Sequence, residues 1–95
     1  MLTTWRGKPI LPTRASQDEM FDHDIFLEDV AEILEDGFDC SRSKRKKNIY
    51  ERCIQRGKTI IKVVVADTGE HFILTHVGTF TASKRKLQQL KGGRK

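Results

Sequence analysis

No stretch of this sequence is apolar for long enough to cross a membrane, since a spanning helix needs roughly 18 apolar residues in a row. The first residues also lack the apolar segment and small-residue cleavage site of a secretory signal, so we expect a cytoplasmic protein. Cys40 and Cys53 are the only cysteines, which excludes a disulfide-rich secreted scaffold and favours two reduced thiols. No CxxC or HxxxH spacing occurs, so we expect neither a metal nor a cofactor.

Aromatic residues are also few, with one Trp, one Tyr and five Phe in 95 residues. Proteins that read single-stranded nucleic acid by sequence stack successive bases on aromatic side chains. This composition therefore argues against sequence-specific recognition of single strands.

Charge is abundant and unevenly distributed. Ten of the 13 acidic residues lie between Asp18 and Asp39, a span that contains no Lys or Arg. From Arg42 to Lys62 nine basic residues accompany one acid, and the last twelve residues add six basic residues and no acid. The tetrapeptide SKRK occurs in both basic regions, at 43–46 and 83–86. This asymmetry indicates a polyanionic partner or pairing between the two halves of the chain.

The hydrophobic pattern predicts an α+β fold in a single small domain. Apolar residues of IFLEDVAEILEDG recur at helical spacing, with Gly37 at the expected end of the helix. NIYERCIQ, TIIKVVVA and HFILTHVG predict three strands joined by short turns, hence an antiparallel sheet that could gain a fourth strand. TASKRKLQQLK predicts a C-terminal helix. We expect an irregular N-terminal arm over 1–17, the domain over 18–91 and a basic tail over 92–95.

Two segments resemble a known family. DHDIFLEDVAEILEDGF is similar to the opening helix, and IYERCIQRGKTIIKVVVADTGEHFILTHVGTFTASKRK to the sheet, of BrnT-like toxins and a related domain of unassigned function. Both are grouped with RelE-like ribonucleases, and the resemblance spans about residues 20–90. It implies metal-independent RNA cleavage and neutralisation by an antitoxin-like partner protein.

RNA cleavage needs a base for the 2′-hydroxyl proton, an acid for the leaving oxygen and cations for the phosphorane. Glu51, the only acid in the basic stretch, is either a general base or an ion-pair partner, and Arg52 could clamp a phosphate or lie at the edge of the core. His76 lies near a strand end, where a site would open. His23, between two aspartates, is either a proton donor or a residue that hydrogen-bonds the helix start.

Seven further basic residues are candidates for phosphate contacts. The predicted nucleic-acid-binding residues are Arg56, Lys58, Lys84, Arg85, Lys86, Lys44 and Arg45. Basic side chains at a helix N-terminus oppose the helix dipole, so residues 84–86 are the more informative cluster.

Three functions follow from these patterns. The first is an RNase-like toxin domain that acts on RNA rather than DNA. The second is a non-catalytic nucleic-acid-binding module, and the third is an interaction domain for an acidic, antitoxin-like partner. An exposed edge strand could also pair two copies into a homodimer.

Overall fold

The computed structural model describes residues 2–39 and 47–81, and these ranges contain six strands and two helices. In chain order the elements are β1 (Thr4–Trp5), β2 (Lys8–Pro12), α1 (Arg14–His23), α2 (Leu27–Asp36), β3 (Phe38–Asp39), β4 (Ile49–Arg56), β5 (Thr59–Asp67) and β6 (Phe72–Thr81).

The strands form one mixed sheet in the order β1-β2-β6-β5-β4-β3. Strand β2 runs parallel to β6, and every other neighbouring pair is antiparallel. The expectation of a three- or four-stranded antiparallel sheet is therefore wrong. The prediction also included a C-terminal helix and a basic tail over 92–95. Both of these segments lie outside the described residues.

Residues 4–12 form a β-hairpin rather than part of an irregular arm. Arg6 and Gly7, the two residues between Trp5 and its partner Lys8, have φ values of 55° and 80°. Positive φ at both central residues is the type I′ turn, whose twist matches that of the flanking strands. Thr13 then begins α1 by accepting a hydrogen bond from the Ser16 N–H at 3.1 Å. The two prolines obscured a strand that pairs through residues 10–12 with β6.

The helix α2 and the strands β4, β5 and β6 confirm the corresponding local predictions. Helix α2 ends at Gly37, as expected. A Cβ atom at Gly37 would lie 2.4 Å from the Ile33 carbonyl oxygen and 2.5 Å from that of Cys53. The end of α2 therefore lies directly against the backbone of β4, where only glycine fits.

The core lies between one face of the sheet and α2, while α1 packs along β6. In β5 alternate residues face it, namely Ile61, Val63 and Val65, all of them buried. From α2, Val30 and Leu34 pack against this face. We call it the inner face.

The sheet curls around this core. Trp5 in β1 is 3% exposed, and its ring centroid lies 5.5 Å from that of Tyr50 in β4 and 4.9 Å from that of Phe72. Its indole Nε1 donates to Glu35 Oε1 at 3.1 Å. Three strands separate β1 from β4 in the sheet, so this contact requires the N-terminal hairpin to fold over the inner face.

A second contact holds the hairpin. Lys8 Nζ donates to Asp67 Oδ1 at 2.7 Å and lies 4.7 Å from the Phe72 ring centroid. The hydrogen bond from Lys8, with a second from the Gly69 backbone N–H, lowers the pKa of the Asp67 carboxyl. This carboxylate therefore ties β2 to the end of β5 whenever it is ionised.

The structure bears on the predictions about membrane crossing and about the cysteines. Neither helix in the described ranges is long and apolar enough to span a membrane. The expectation of reduced thiols is wrong for Cys53, which is buried and disulfide-bonded.

We predict that Trp5→Ala lowers the free energy of unfolding by about 3–5 kcal/mol, because it leaves a large cavity between the hairpin and Tyr50. Trp5→Phe keeps most of the apolar contact and loses the hydrogen bond to Glu35, at a cost of about 1 kcal/mol for that bond. Urea unfolding measures both values. Leu2→Ala, at a residue 66% exposed, is the control and leaves stability nearly unchanged. Equal stability of Trp5→Ala and the wild type would show that the hairpin is not part of the core.

Candidate functional site

The strand register defines a second face of the sheet. Glu51 pairs with Val64, and Val64 pairs with His76, so these three residues form a row across β4, β5 and β6. Lys62, the neighbouring residue of β5 on the same face, pairs with Gly78 in β6. All five residues therefore lie on the face of the sheet opposite to the core residues Val63 and Val65. We call the surface formed by Glu51, Lys62, Val64, His76 and Gly78 the outer face.

A β-bulge in β6 places His76 on this face. Val65 pairs with Leu74, whereas the preceding Val64 pairs with His76, so Thr75 is an extra residue in β6. Strict alternation from buried Leu74 would point His76 into the core. The bulge instead turns His76 outward and returns the next residue, Val77, to the core cluster. Bulges often re-aim side chains in this way near functional sites.

The His76 imidazole is held on two sides. Glu19, on α1, places Oε2 3.0 Å from His76 Nδ1 and accepts the Val77 backbone N–H through Oε1 at 2.8 Å. A Cβ atom at Gly78 would lie only 3.1 Å from His76 Nε2, so the ring lies beside this glycine. Since the Glu19 carboxylate occupies Nδ1, Nε2 is the ring nitrogen available to a ligand. The side chain is 47% exposed.

Lys62 and Glu51 lie on the same face of the sheet as this imidazole. Both side chains are partly exposed and lie on β5 and β4. Neighbouring strands are about 4.8 Å apart, so the backbones at Glu51 and His76 are about 10 Å apart. Because both side chains rise from the same face, a ligand such as a phosphodiester would lie between a carboxylate and an imidazole, beside the Lys62 ammonium.

The structure separates Arg52 from this group. Arg52 follows Glu51 in β4 and therefore projects from the inner face. Its Nη1 donates to the Gly37 carbonyl at 3.1 Å, and its Nε lies 3.2 Å from Asp39 Oδ1 without the alignment of a hydrogen bond. The Arg52 guanidinium thus joins β4 to the chain that follows α2, at the edge of the core rather than in a phosphate clamp.

His23 ends α1 and lies beside the far end of β6. Its Nδ1 is 3.3 Å from Thr79 Oγ1, and its side chain is exposed. Thr79 lies on the inner face, because it pairs with the core residue Ile61. His23 therefore contacts an inner-face residue of β6, whereas His76 is a residue of β6 on the outer face.

Two of the seven predicted phosphate-binding residues, Arg56 and Lys58, lie in the described ranges. Arg56 Nη2 donates to Glu32 Oε1 of α2 at 3.1 Å, and Lys58 is exposed in the turn between β4 and β5. The other predicted phosphate-binding residues fall outside the described ranges: Lys44, Arg45, Lys84, Arg85 and Lys86.

Metal binding has no candidate within residues 2–39 and 47–81, where no three or more His, Cys, Asp or Glu side chains are grouped to hold an ion. Glu51, His76 and Glu19 of the outer-face arrangement therefore do not form a metal cluster in the structure. Their carboxylates and imidazole are groups that can accept or donate a proton.

Three residues of this arrangement were not predicted. Lys62 is the one charged residue in TIIKVVVA, and a lysine in an otherwise apolar strand was a signal for it. Gly78, inside a predicted strand, indicated a bulge or close approach. Glu19 had no signal, because its partners His76 and Val77 are more than 50 residues away in sequence.

Comparison of the chain with models of known protein families, with characterised proteins and with solved structures gives no match. The similarity to BrnT-like and RelE-like toxins therefore stays a prediction. What the fold and site define is a mostly-sheet protein, a six-stranded curled mixed sheet with two helices, that carries Glu51, Lys62 and His76 on its outer face.

We predict that Gly78→Ala displaces the His76 imidazole, because the added methyl group meets Nε2 at 3.1 Å. The ring resonances of His76 in an NMR spectrum should shift, while those of His71 stay in place. Thr59→Ala, at an exposed position of β5, is the control for general effects of a substitution in this sheet. Unchanged His76 resonances in Gly78→Ala would contradict the close packing of the ring on this glycine.

Proposed function

We propose that this protein cleaves RNA at its outer face by acid–base catalysis without a metal ion. The observation that carries the proposal is the row Glu51–Val64–His76, with Lys62 beside it and Glu19 fixing His76. It supplies the three functions that the reaction needs: a base, an acid and a cation. The proposal agrees with the function implied by the resemblance to RelE-like ribonucleases, although the residues differ in part from those that the sequence predicts.

In this mechanism the Glu51 carboxylate accepts the 2′-hydroxyl proton as the 2′-oxygen attacks phosphorus. The bond from phosphorus to the 5′-oxygen breaks, and His76 Nε2–H donates its proton to that oxygen. The products are a 2′,3′-cyclic phosphate and a free 5′-hydroxyl. The Lys62 ammonium stabilises the negative charge of the phosphorane. Glu19 acts as a positioning residue, since its contact is to Nδ1 and not to the substrate.

The charge distribution along the chain supports binding of RNA. The described residues carry eight basic and 13 acidic side chains, whereas residues 40–46 and 82–95 carry the other ten basic residues and no acid. Ten of the acids lie between Asp18 and Asp39, the part of the chain that contains most of α1 and all of α2. A polyanion is repelled by the helical layer and has a cation, Lys62, on the outer face.

The decisive experiment incubates the purified protein with RNA in EDTA. We predict cleavage by the wild type and a loss of at least about a hundredfold in His76→Gln and in Glu51→Gln. His71→Gln is the matched histidine control and keeps full activity. DNA of the same sequence stays intact, because it lacks the 2′-hydroxyl nucleophile.

Mass spectrometry of the RNA fragments tests the chemistry separately, through the expected 2′,3′-cyclic phosphate ends. Equal cleavage by wild type, His76→Gln and Glu51→Gln would assign the activity to a contaminant and reject the site. We also propose a cytoplasmic location, where the Cys53 disulfide would be reduced. The assay is therefore run with and without a thiol reductant.

A second candidate function is nucleic-acid binding without cleavage, and one observation favours it. Residues 40–46 and 82–95 together bring ten basic residues and no acid, a composition that suits contacts to the phosphate backbone. Such contacts need no arranged acid–base pair. Binding of this kind predicts that His76→Gln binds RNA as tightly as the wild type.

We predict that the affinity for RNA falls steeply with salt, because each neutralised phosphate releases a counterion. Replacing Lys84, Arg85 and Lys86 by Gln should lower the slope of log affinity against log salt by up to about three units, roughly one for each lost contact. Fluorescence anisotropy with labelled RNA measures it. Replacement of Asp18, Asp22 and Glu28 by their amides is the control for a change in total charge. A slope that does not change in the basic-residue variant would show that residues 84–86 do not touch phosphate.

A further inference from the structure

The corner between α1 and α2 exposes two phenylalanines. Phe21 is 87% exposed and Phe26 is 63% exposed, and with Met20, Asp24 and Ile25 they line a shallow pocket. Asp24 turns the chain here with a φ of 58°, while Ile25 beneath it is buried. We call this pocket and its two phenylalanines the corner groove. Exposed aromatic side chains next to one another are characteristic of a surface that binds a partner.

The carboxylates around the corner groove differ from some other acids of residues 18–39. Three acids of residues 18–39 have a basic partner, namely Glu19 with His76, Glu32 with Arg56 and Asp39 with Arg52. By contrast, Asp22, Asp24 and Glu28 are exposed, and none forms an ion pair with another described residue. These three carboxylates therefore place negative charge without a counter-charge beside the two phenylalanines in sequence.

Neither phenylalanine is required by the fold at its position. Phe21 lies on the exposed side of α1. Phe26 precedes α2, where its backbone N–H donates to Asp29 Oδ2 at 2.9 Å and its side chain takes no part. Serine is a better residue than phenylalanine at a helix N-cap. An aromatic ring at this place exposes apolar surface and supplies no cap. It therefore does not stabilise the fold through capping or burial, and its exposed surface is available for binding.

We propose that the corner groove binds a basic peptide segment of a partner protein, one that inserts an apolar side chain between Phe21 and Phe26. The groove supplies the apolar contact, and Asp22, Asp24 and Glu28 supply the complementary charge. Residues 18–39 carry ten acids and no Lys or Arg, so a cationic segment is attracted to this face by the local charge. The site is separate from the outer face and does not depend on RNA cleavage.

The test uses the full-length protein and a short amphipathic peptide of lysine and leucine as the probe. We predict saturable binding by isothermal titration, with affinity that falls as salt is raised. Phe21→Ser with Phe26→Ser should weaken binding at least about tenfold, as expected for aromatic anchors at the centre of an interface. Asp22→Asn, Asp24→Asn and Glu28→Gln together should weaken binding and flatten its dependence on salt.

Matched controls separate this surface from general stickiness and charge. Leu2→Ser removes another exposed apolar side chain, and Glu70→Gln removes another exposed acid, and both should bind the probe as the wild type does. A peptide of lysine and serine, and one of glutamate and leucine, should bind at least about tenfold more weakly, because each lacks one of the two complementary features.

Three outcomes would overturn the proposal. The first is no saturable binding of the lysine–leucine peptide, and the second is equal binding by the wild type and the double Ser variant. The third is a wild-type dimer in sedimentation that dissociates in the double Ser variant, which would assign the groove to a second copy of this chain. Circular dichroism confirms that the variants fold, and unchanged RNA cleavage in them would show that the two surfaces act independently.

Discussion

The contact between Trp5 and Tyr50 is the constraint on which the shape of the molecule depends. It joins a strand at one edge of the sheet to the fifth strand of six, so the sheet closes around one face. The hairpin and α2 supply the core on this side through Trp5, Ile10, Val30, Ile33 and Leu34. Glu51, Lys62 and His76 are not part of this core cluster.

Glu19 connects this packing to the candidate site. Its carboxylate accepts the N–H of Val77, which lies in the part of β6 beyond the pairing with β2. An unpaired strand N–H would otherwise be exposed or buried without a partner. The second oxygen of the same carboxylate holds His76. One side chain thus closes a strand edge and orients an imidazole, so the position of α1 and the geometry of the site are linked.

The local elements could be predicted where one chemical pattern dominates. Helix α2 has a continuous apolar stripe and β5 is a run of β-branched residues, so the sequence predicts both. Strands β1 and β3 have two residues each, too few for any periodicity, and β2 pairs in parallel with a strand about 60 residues away. The bulge at Thr75 is set by its register against β5. Alternation alone therefore could not place His76 on the outer face, and it could not reveal Glu19. Alternation did separate Glu51 from Arg52, which removes Arg52 from the site.

The charges at the two surfaces suit the different ligands that we propose for them. The helices carry carboxylates toward solvent, and three of them at the corner groove lack a counter-charge among the described residues, so an RNA phosphate backbone is disfavoured there. The outer face offers Lys62 and the His76 imidazole. The RNA and the cationic segment that we propose as ligands would thus be sorted to different surfaces by local charge. Since fields of this kind act over about a Debye length, raising the salt concentration should weaken the sorting at both surfaces together, while the short contacts of Glu19 with His76 and Val77 persist.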